Sequence, residues 1–515
     1  EDLEQKNDDW NFLRKLNVAK HVRNMNWRII FRSLKNKDMQ KRLFIVVGII
    51  VVYRLLAHIP VPLAEPTQLR NAISSVLGQS DLGGILNLLS GGALSSFSLV
   101  LVGLSPFITA SIIIQLLTKA IPRLEELHKD GESGRRKIQQ WTRVITVPLA
   151  IVQSIAFIFI LRQTVLQGGS TTLADPTMME WIVSITSMTA GSVLLMWLGE
   201  LITEQGIGNG ISIVIFAGII SQLPQMLASL ISSLFNTSSG SLNVFNWFTL
   251  PVNPVMFWTI LIMSIAGLIV LYFLVKINEA QRVITINYAK RVHGNSNYGD
   301  VKSILPVKLI AAGVIPVIFA VAFLSLPQFV GQVMKASGNA NLLPTANKLI
   351  TWFQAPNAGS FTGSTAEAFI YPTLYFILVI AFTYFYTGIV FNANEIAENL
   401  QKQGGFIEGV RPGAQTEKYL MRTVNRLILF GSIVLGIVAI LPFVAEYLTY
   451  NLTGLQGLRL SIGGTGILII VSVALETLRQ VNSRALMVTY DDFDPDELLD
   501  SDKKKSKKRR LFKKK

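Results

Sequence analysis

The chain has 515 residues, half of them hydrophobic and 15% charged, with a net charge of +15 and a mean hydropathy of +0.45. That is too apolar for a soluble globular protein of this length. The absence of cysteine excludes a disulfide framework, a thiolate zinc site and a cysteine nucleophile.

Apolar residues come in long blocks instead of one buried face at helical spacing. Taken in order they predict spans at 42–60, 99–120, 143–163, 180–199, 211–232, 256–276, 307–329, 370–392, 427–446 and 462–482. About 20 residues at about 1.5 Å rise cross a hydrocarbon layer about 30 Å thick. Continuous blocks of that length satisfy their own amides only as helices, whereas a barrel strand would be short and alternating. The expected fold is therefore an all-α, multi-spanning membrane protein. The first block follows a polar segment and has no small-residue cleavage site after it, so a retained span is expected, not a signal peptide.

Ten spans place both termini on one side. The segments 1–42, 119–143, 276–308, 395–426 and 479–515 carry 41 of the 47 Lys and Arg residues, which puts them and both termini in the cytoplasm. The opposite loops near 164–180 and 233–255 carry none, and 330–369 holds only Lys335 and Lys348. The basic tail 503–515 suits anionic headgroups or ribosomal RNA.

Residues 82–96 (LGGILNLLSGGALSS) are apolar but too short to cross, which fits a re-entrant half-helix or a surface amphipathic helix. Breaks fall at 103–106 (GLSP), 206–210 (GIGNG), 313–316 (GVIP) and 463–466 (GGTG). Discontinuous helices gather around transport pathways. Beside the breaks stand Leu104 and Ile108, Ile211 and Ile215, Ile318, and Ile469. Such residues line a pathway or pack against lipid and neighbouring helices. Arg54 is the clearest charge within a span, a cost that a partner or an interface relieves.

Function classes narrow by what is missing. There is no GxxxxGK[ST] loop for phosphate, no βαβ context around GIGNG, and no HExxH pairing among His21, His58, His128 and His293. No cofactor is expected. A proton- or ion-coupled carrier of a small solute would hold more buried carboxylates, and an intramembrane hydrolase would need a nucleophile beside a base.

Seven ordered stretches resemble the SecY family of protein-conducting channels: 90–117 (SGGALSSFSLVLVGLSPFITASIIIQLL), 131–143 (GESGRRKIQQWTR), 196–219 (MWLGELITEQGIGNGISIVIFAGI), 287–291 (NYAKR), 305–320 (LPVKLIAAGVIPVIFA), 405–420 (GFIEGVRPGAQTEKYL) and 463–476 (GGTGILIIVSVALE). The resemblance implies two inverted pseudo-symmetric halves, 42–250 and 251–485, between a cytoplasmic segment 1–41 and a basic tail 486–515. It implies a pore constriction at Leu104, Ile108, Ile211, Ile215, Ile318 and Ile469. The plug beneath it would be Leu82, Gly83, Gly84, Ile85, Leu86, Asn87, Leu88, Leu89, Ser90, Gly91, Gly92, Ala93, Leu94, Ser95 and Ser96. Spans two and three would face seven and eight across a lateral gate, with Thr109, Ser111 and Gln115 on the second-span side. Loops 277–304 and 395–424 would dock the SecA ATPase or the ribosome through Lys290, Arg291 and Arg411; the alternative is that these exposed basic residues are topology determinants only.

SecE and SecG subunits, a signal-bearing polypeptide and membrane lipid complete the implied partners, and a bacterial plasma membrane the location. Two positions depart from the family: Val283 replaces the second of a basic pair, and Ile310 replaces an asparagine.

Sidedness is testable because the chain has no native thiol. Single cysteines in 395–424 or 503–515 of membrane-embedded protein should react with impermeant maleimide only from the cytoplasmic side, and cysteines in 330–369 only from outside. External labelling of the tail would overturn the topology.

Overall fold

The computed structural model describes residues 37–61, 98–167, 177–235, 242–244, 248–250, 252–288, 302–310, 313, 315–336, 341–356, 365–453 and 464–491. Each of the ten apolar blocks contains a helix among these residues. The first five blocks hold α1 (Lys37–Leu56), α2 (Ser105–Ala120), α4 (Gly131–Gln167), α5 (Met178–Glu204) and α6 (Gly210–Leu234); α3 (Pro122–Lys129) is a short helix after α2. A small hairpin, β1 (Leu242–Val244) and β2 (Phe248–Leu250), leads to α7 (Pro254–Glu279). The remaining blocks hold α8 (Ile315–Ala336), α11 (Ile370–Val390), α13 (Ala414–Thr453) and α14 (Gly464–Asp491). Between them lie α9 (Leu343–Phe353), α10 (Thr365–Ala368) and α12 (Ala393–Lys402), with strands β3 (Gln281–Tyr288), β4 (Lys302–Lys308) and β5 (Gly405–Ile407).

Seven of these helices are individually long and apolar enough to span a membrane. Only 6% of the most apolar stretch of α7 is buried, and Ile262, Ile265, Leu268, Ile269 and Phe273 stand exposed. Water would penalise such a face heavily, so it requires lipid or another apolar helix. The protein is accordingly a multi-spanning membrane protein. Arg54 falls in the last turn of α1, at a helix end and not at mid-span, where the helix dipole favours a cation.

Caps and breaks follow local chemistry. Thr177 and Glu180 close a reciprocal capping box at the start of α5, and the Asn209 and Asn253 side chains accept backbone N–H groups at the starts of α6 and α7. Residues 98–104 form turns, so helix α2 begins only at Ser105, and Pro122 sends α3 off at 106°. The seventh block begins later than 307: strand β4 occupies Lys302–Lys308, and the helix starts at Ile315 after Gly313, whose φ of 62° favours glycine.

The loops 277–304 and 395–424 contain strand structure: β3 and the start of β4 lie in the first and β5 in the second, and the strands pair across the two. They form one antiparallel sheet in the order β4-β3-β5, with Gln281 opposite Lys308 and Ile286 opposite Ile407. Alternation explains β3, where Ile284 and Ile286 are buried, Ile284 in a small core with Leu420, Val424 and Leu427, while Val283 faces out. The two loops are thereby one body.

The first five spans pack together, α5 touching α1, α2, α4 and α6. Among the last five, α11 packs on α8 and α13, and α14 on α7 and α13. Beyond the covalent link from α6 to α7, the two sets meet where α8 packs on α2 and α4, and where α14 packs on α6. One large buried cluster joins both sets at the centre.

Glu200 on α5 is nearly buried, and Arg143 of α4 donates to it at 2.8 Å. Glu200→Ala should lower stability by about 1–3 kcal/mol, discounted because Arg143 is partly solvated. The check is thermal unfolding in detergent, where Glu200→Ala should melt below the parent.

Candidate functional site

The six aliphatic residues beside the breaks converge. Leu104, Ile108, Ile215, Ile318 and Ile469 are all buried in the central cluster, and Ile211 packs against it partly buried. They arrive on four elements: the turn into α2 with its first turn, α6, α8 and α14. Those on α2, α6 and α8 follow a backbone interruption. Gly103 (φ 61°) and Pro106 start α2, and Gly313 (φ 62°) precedes α8.

At the α5–α6 corner the peptide groups are satisfied from within. The Thr203 hydroxyl donates to Gly199 O at 3.0 Å and accepts from Gly210 N–H at 2.9 Å, while Asn209 Oδ1 accepts from Ile211 N–H at 3.1 Å. A Cβ on Gly210 would overlap the Gly199 carbonyl, so this close approach admits no side chain.

An aliphatic cluster offers no fixed hydrogen bond to a passing chain and no solvation to an ion, so it dewets while remaining deformable.

Helix α2, which with α4 packs on α8 in a seam, carries Thr109, Ser111 and Gln115. Thr109 is buried; Ser111 and Gln115 are half-buried, with Gln115 Nε2 donating to Ser111 Oγ at 3.0 Å within α2. Gln115 Oε1 has no partner among the described residues. Across the seam Phe157 of α4 meets Phe329 of α8 at 6.0 Å between ring centres. The structure adds Gln153 and Ser154 on α4 and Gln328 on α8, which sequence reasoning missed. All three are buried, and each leaves a side-chain polar atom without a partner among the described residues. Amides inside apolar blocks were the available signal. The eighth span, α11, packs on α8 through Phe319, Phe382 and Tyr386.

Arg411 lies exposed between β5 and α13. Gly409 (φ 79°) and Gly413 (φ 93°) bracket it, and its carbonyl accepts from the Thr416 hydroxyl at 2.9 Å. The backbone is thus fixed while the guanidinium faces outward. Lys290, Arg291 and the whole of 82–96 lie outside the described residues. Val283 is exposed on β3, and Ile310 is buried beside Asn278, Gly313 and Ser472.

Among the described residues no group of His, Asp and Glu could hold a metal ion, and Glu200 is the buried carboxylate, already paired with Arg143. Helices broken around an aliphatic centre are the arrangement of a membrane pathway.

Comparison with known proteins agrees. The SecY family profile matches residues 98–478. The chain is 38% identical over 465 residues to the protein translocase subunit SecY of Corynebacterium glutamicum, covering 90% of this chain and 98% of that one. It is 38% identical over 467 residues to that of Streptomyces coelicolor and 36% over 468 residues to that of Mycobacterium tuberculosis, each with 90% and 98% covered. Solved structures with the same fold include a protein-conducting channel, at TM-score 0.54 and 21% identity. A second is a SecY described by a plug domain that stabilises the closed state of the translocation channel and maintains a membrane seal, at TM-score 0.56 and 20% identity. Each covers 85% of this chain and 91% of its own. The chain belongs to the SecY family. Its role is that family's, a membrane channel for protein translocation, and it is not an enzyme.

Proposed function

We propose that unfolded, signal-bearing polypeptides cross through the centre lined by Leu104, Ile108, Ile211, Ile215, Ile318 and Ile469, and that hydrophobic segments leave sideways where α8 meets α2 and α4. The observation that supports this most is the convergence of six aliphatic residues from four elements, five of them buried in one cluster. The side exit has a physical drive: lipid lowers the free energy of an apolar helix once the seam parts. Segment 82–96 would act as the plug beneath this centre. The halves 42–250 and 251–485 would swing about the connection between α6 and α7.

The seam with unpartnered amides fits a gate. Each buried polar atom without a partner costs about 1–3 kcal/mol, and that cost is relieved wherever the parted seam presents the atom to a translocating chain or to water. The 41 basic residues on one side support cytoplasmic termini in a bacterial plasma membrane. The exposed apolar face of α7 suits SecE, SecG or lipid. Arg411, presented on a stiff turn beside the β4-β3-β5 sheet, suits the SecA ATPase or the ribosome. One protein of similar fold is the channel of a canine ribosome–channel complex, at TM-score 0.50 and 20% identity.

Replacing Ile108 and Ile215 with asparagine, or deleting 82–96, should raise ion conductance in planar bilayers and relax discrimination against defective signal sequences. Unchanged conductance in both variants would remove the seal assignment.

Arg411→Glu should leave expression and thermal stability near those of the parent, because the side chain is exposed. SecA-driven translocation should fall about tenfold or more, since losing a desolvated charged contact costs about 2–5 kcal/mol. Arg411→Lys should be intermediate, lacking the planar two-pronged grip. Normal translocation by Arg411→Glu would make the residue a topology charge only.

A further inference from the structure

The α5–α6 corner makes a contact that channel opening by a simple swing must take into account. Gly206 there has φ 69°, and the Arg484 guanidinium of α14 fills the space where its side chain would stand. A Cβ on Gly206 would stand 2.5 Å from Arg484 Nη2 and 2.9 Å from Nε. Two residues on, a Cβ on Gly208 would stand 3.2 Å from Thr477 Oγ1, also on α14. The missing side chains let the corner of the first five spans seat directly on the last span.

The seat is also electrostatic. The α5 C-terminus carries the negative end of its dipole. Arg42 of α1 donates to the Gln205 carbonyl at 3.2 Å on that end, and Arg484 approaches the next residue from α14. Cations from both sets of spans thus stand at one helix end. The corner itself is stiff, through Thr203 and Asn209 as described above, so displacement at Gly206 or Gly208 carries the first turn of α6, and with it Ile211.

A swing axis needs two points. One is the chain connection at the far end of α6, where Asn253 N–H donates to Leu234 O at 3.1 Å and ties the end of α6 to the start of α7. Helix α6 has 25 residues, about 37 Å at 1.5 Å per residue, so the Gly206–Gly208 seat lies at the opposite membrane face. The seam of α8 with α2 and α4 lies elsewhere on the boundary.

We propose that Gly206, Gly208, Thr477 and Arg484 form the second pivot of the channel, a contact that stays made while the α8 seam parts and that sets how closely Ile211 and Ile215 approach Ile469. This rests on the reading of the α8 seam as the gate. Unlike that seam, this one is packed glycine on side chain, which slides or rotates with little loss of contact.

The test uses Gly208→Cys/Thr477→Cys in the otherwise cysteine-free full-length chain, assembled with its partner subunits in proteoliposomes. The 3.2 Å contact suits a disulfide, and Gly208 has no left-handed φ to forbid a side chain. Oxidation should join the pair, and SecA-driven translocation of a signal-bearing precursor should stay within about twofold of the reduced sample. Joining Phe157→Cys and Phe329→Cys with a short bismaleimide should instead lower translocation about tenfold.

Loss of translocation on oxidising the Gly208/Thr477 pair, restored by reductant, would show that this contact must separate and would overturn the pivot. Failure of the pair to oxidise would deny the contact and overturn it equally. The gate reading fails separately, by full activity with the α8 seam joined. Independently, Arg484→Ala should raise ion conductance several-fold with unchanged SecA affinity, and Arg484→Lys should restore part of the seal. A conductance equal to the parent's in Arg484→Ala would also overturn the pivot.

Discussion

Hydrocarbon offers a peptide group no hydrogen-bond partner, and the architecture depends on that constraint. A chain that must cross can be broken only where protein supplies the missing bonds. At two of the breaks the supply is local. Leu101 and Gly103 donate to Ser98 O and Val100 O at 2.9 Å in the turn before α2, and Thr203 and Asn209 serve the α5–α6 corner. Breaks satisfied in this way need not be hidden at a helix end. They stand beside the central cluster, where Leu104, Ile108, Ile211 and Ile215 meet Ile318 and Ile469.

The two non-covalent boundaries between the sets of spans differ in kind. At α8 the helices bury amides of Gln115, Gln153 and Gln328 that are incompletely paired among the described residues. At α14 the contact is made by glycines that admit a guanidinium and a hydroxyl, with the α5 end satisfied by Arg42. An incompletely paired polar surface gains when it is opened to partners of its own, whereas a surface without side chains gains nothing by separating. Under the proposed gate and pivot, this asymmetry would give the boundary one side that parts and one that holds.

Outside the hydrocarbon, the sheet and α13 make a second structural unit. Pairing of Ile286 with Ile407 couples the segment before α8 to the segment before α13. At 40 residues, about 60 Å, α13 is twice as long as a bilayer core is thick, so it links that sheet rigidly to the span it continues into. A load applied at the Arg411 turn therefore reaches the second set of spans through a helix and not through a loose tether.

Much of this was legible in the amino-acid sequence because it depends on residues close together in the chain. Helix-forming apolar blocks, their number, the distribution of Lys and Arg, and the breaks at 103–106, 206–210 and 313–316 all follow from local hydrogen bonding and transfer energy. Strand β3 was legible in principle, since QRVITINY alternates, but its polar setting read as a loop until β4 and β5 supplied partners for its amides. Only tertiary structure decided what Ile215 and Ile469 face. An isoleucine in a span is equally content against lipid or protein, so its own surroundings in sequence hold no information about direction. The same limit applied to Gly206 and Gly208: their lack of side chains was visible, but the Arg484 and Thr477 that fill the space stand some 270 residues away and meet them only when α14 packs on α6.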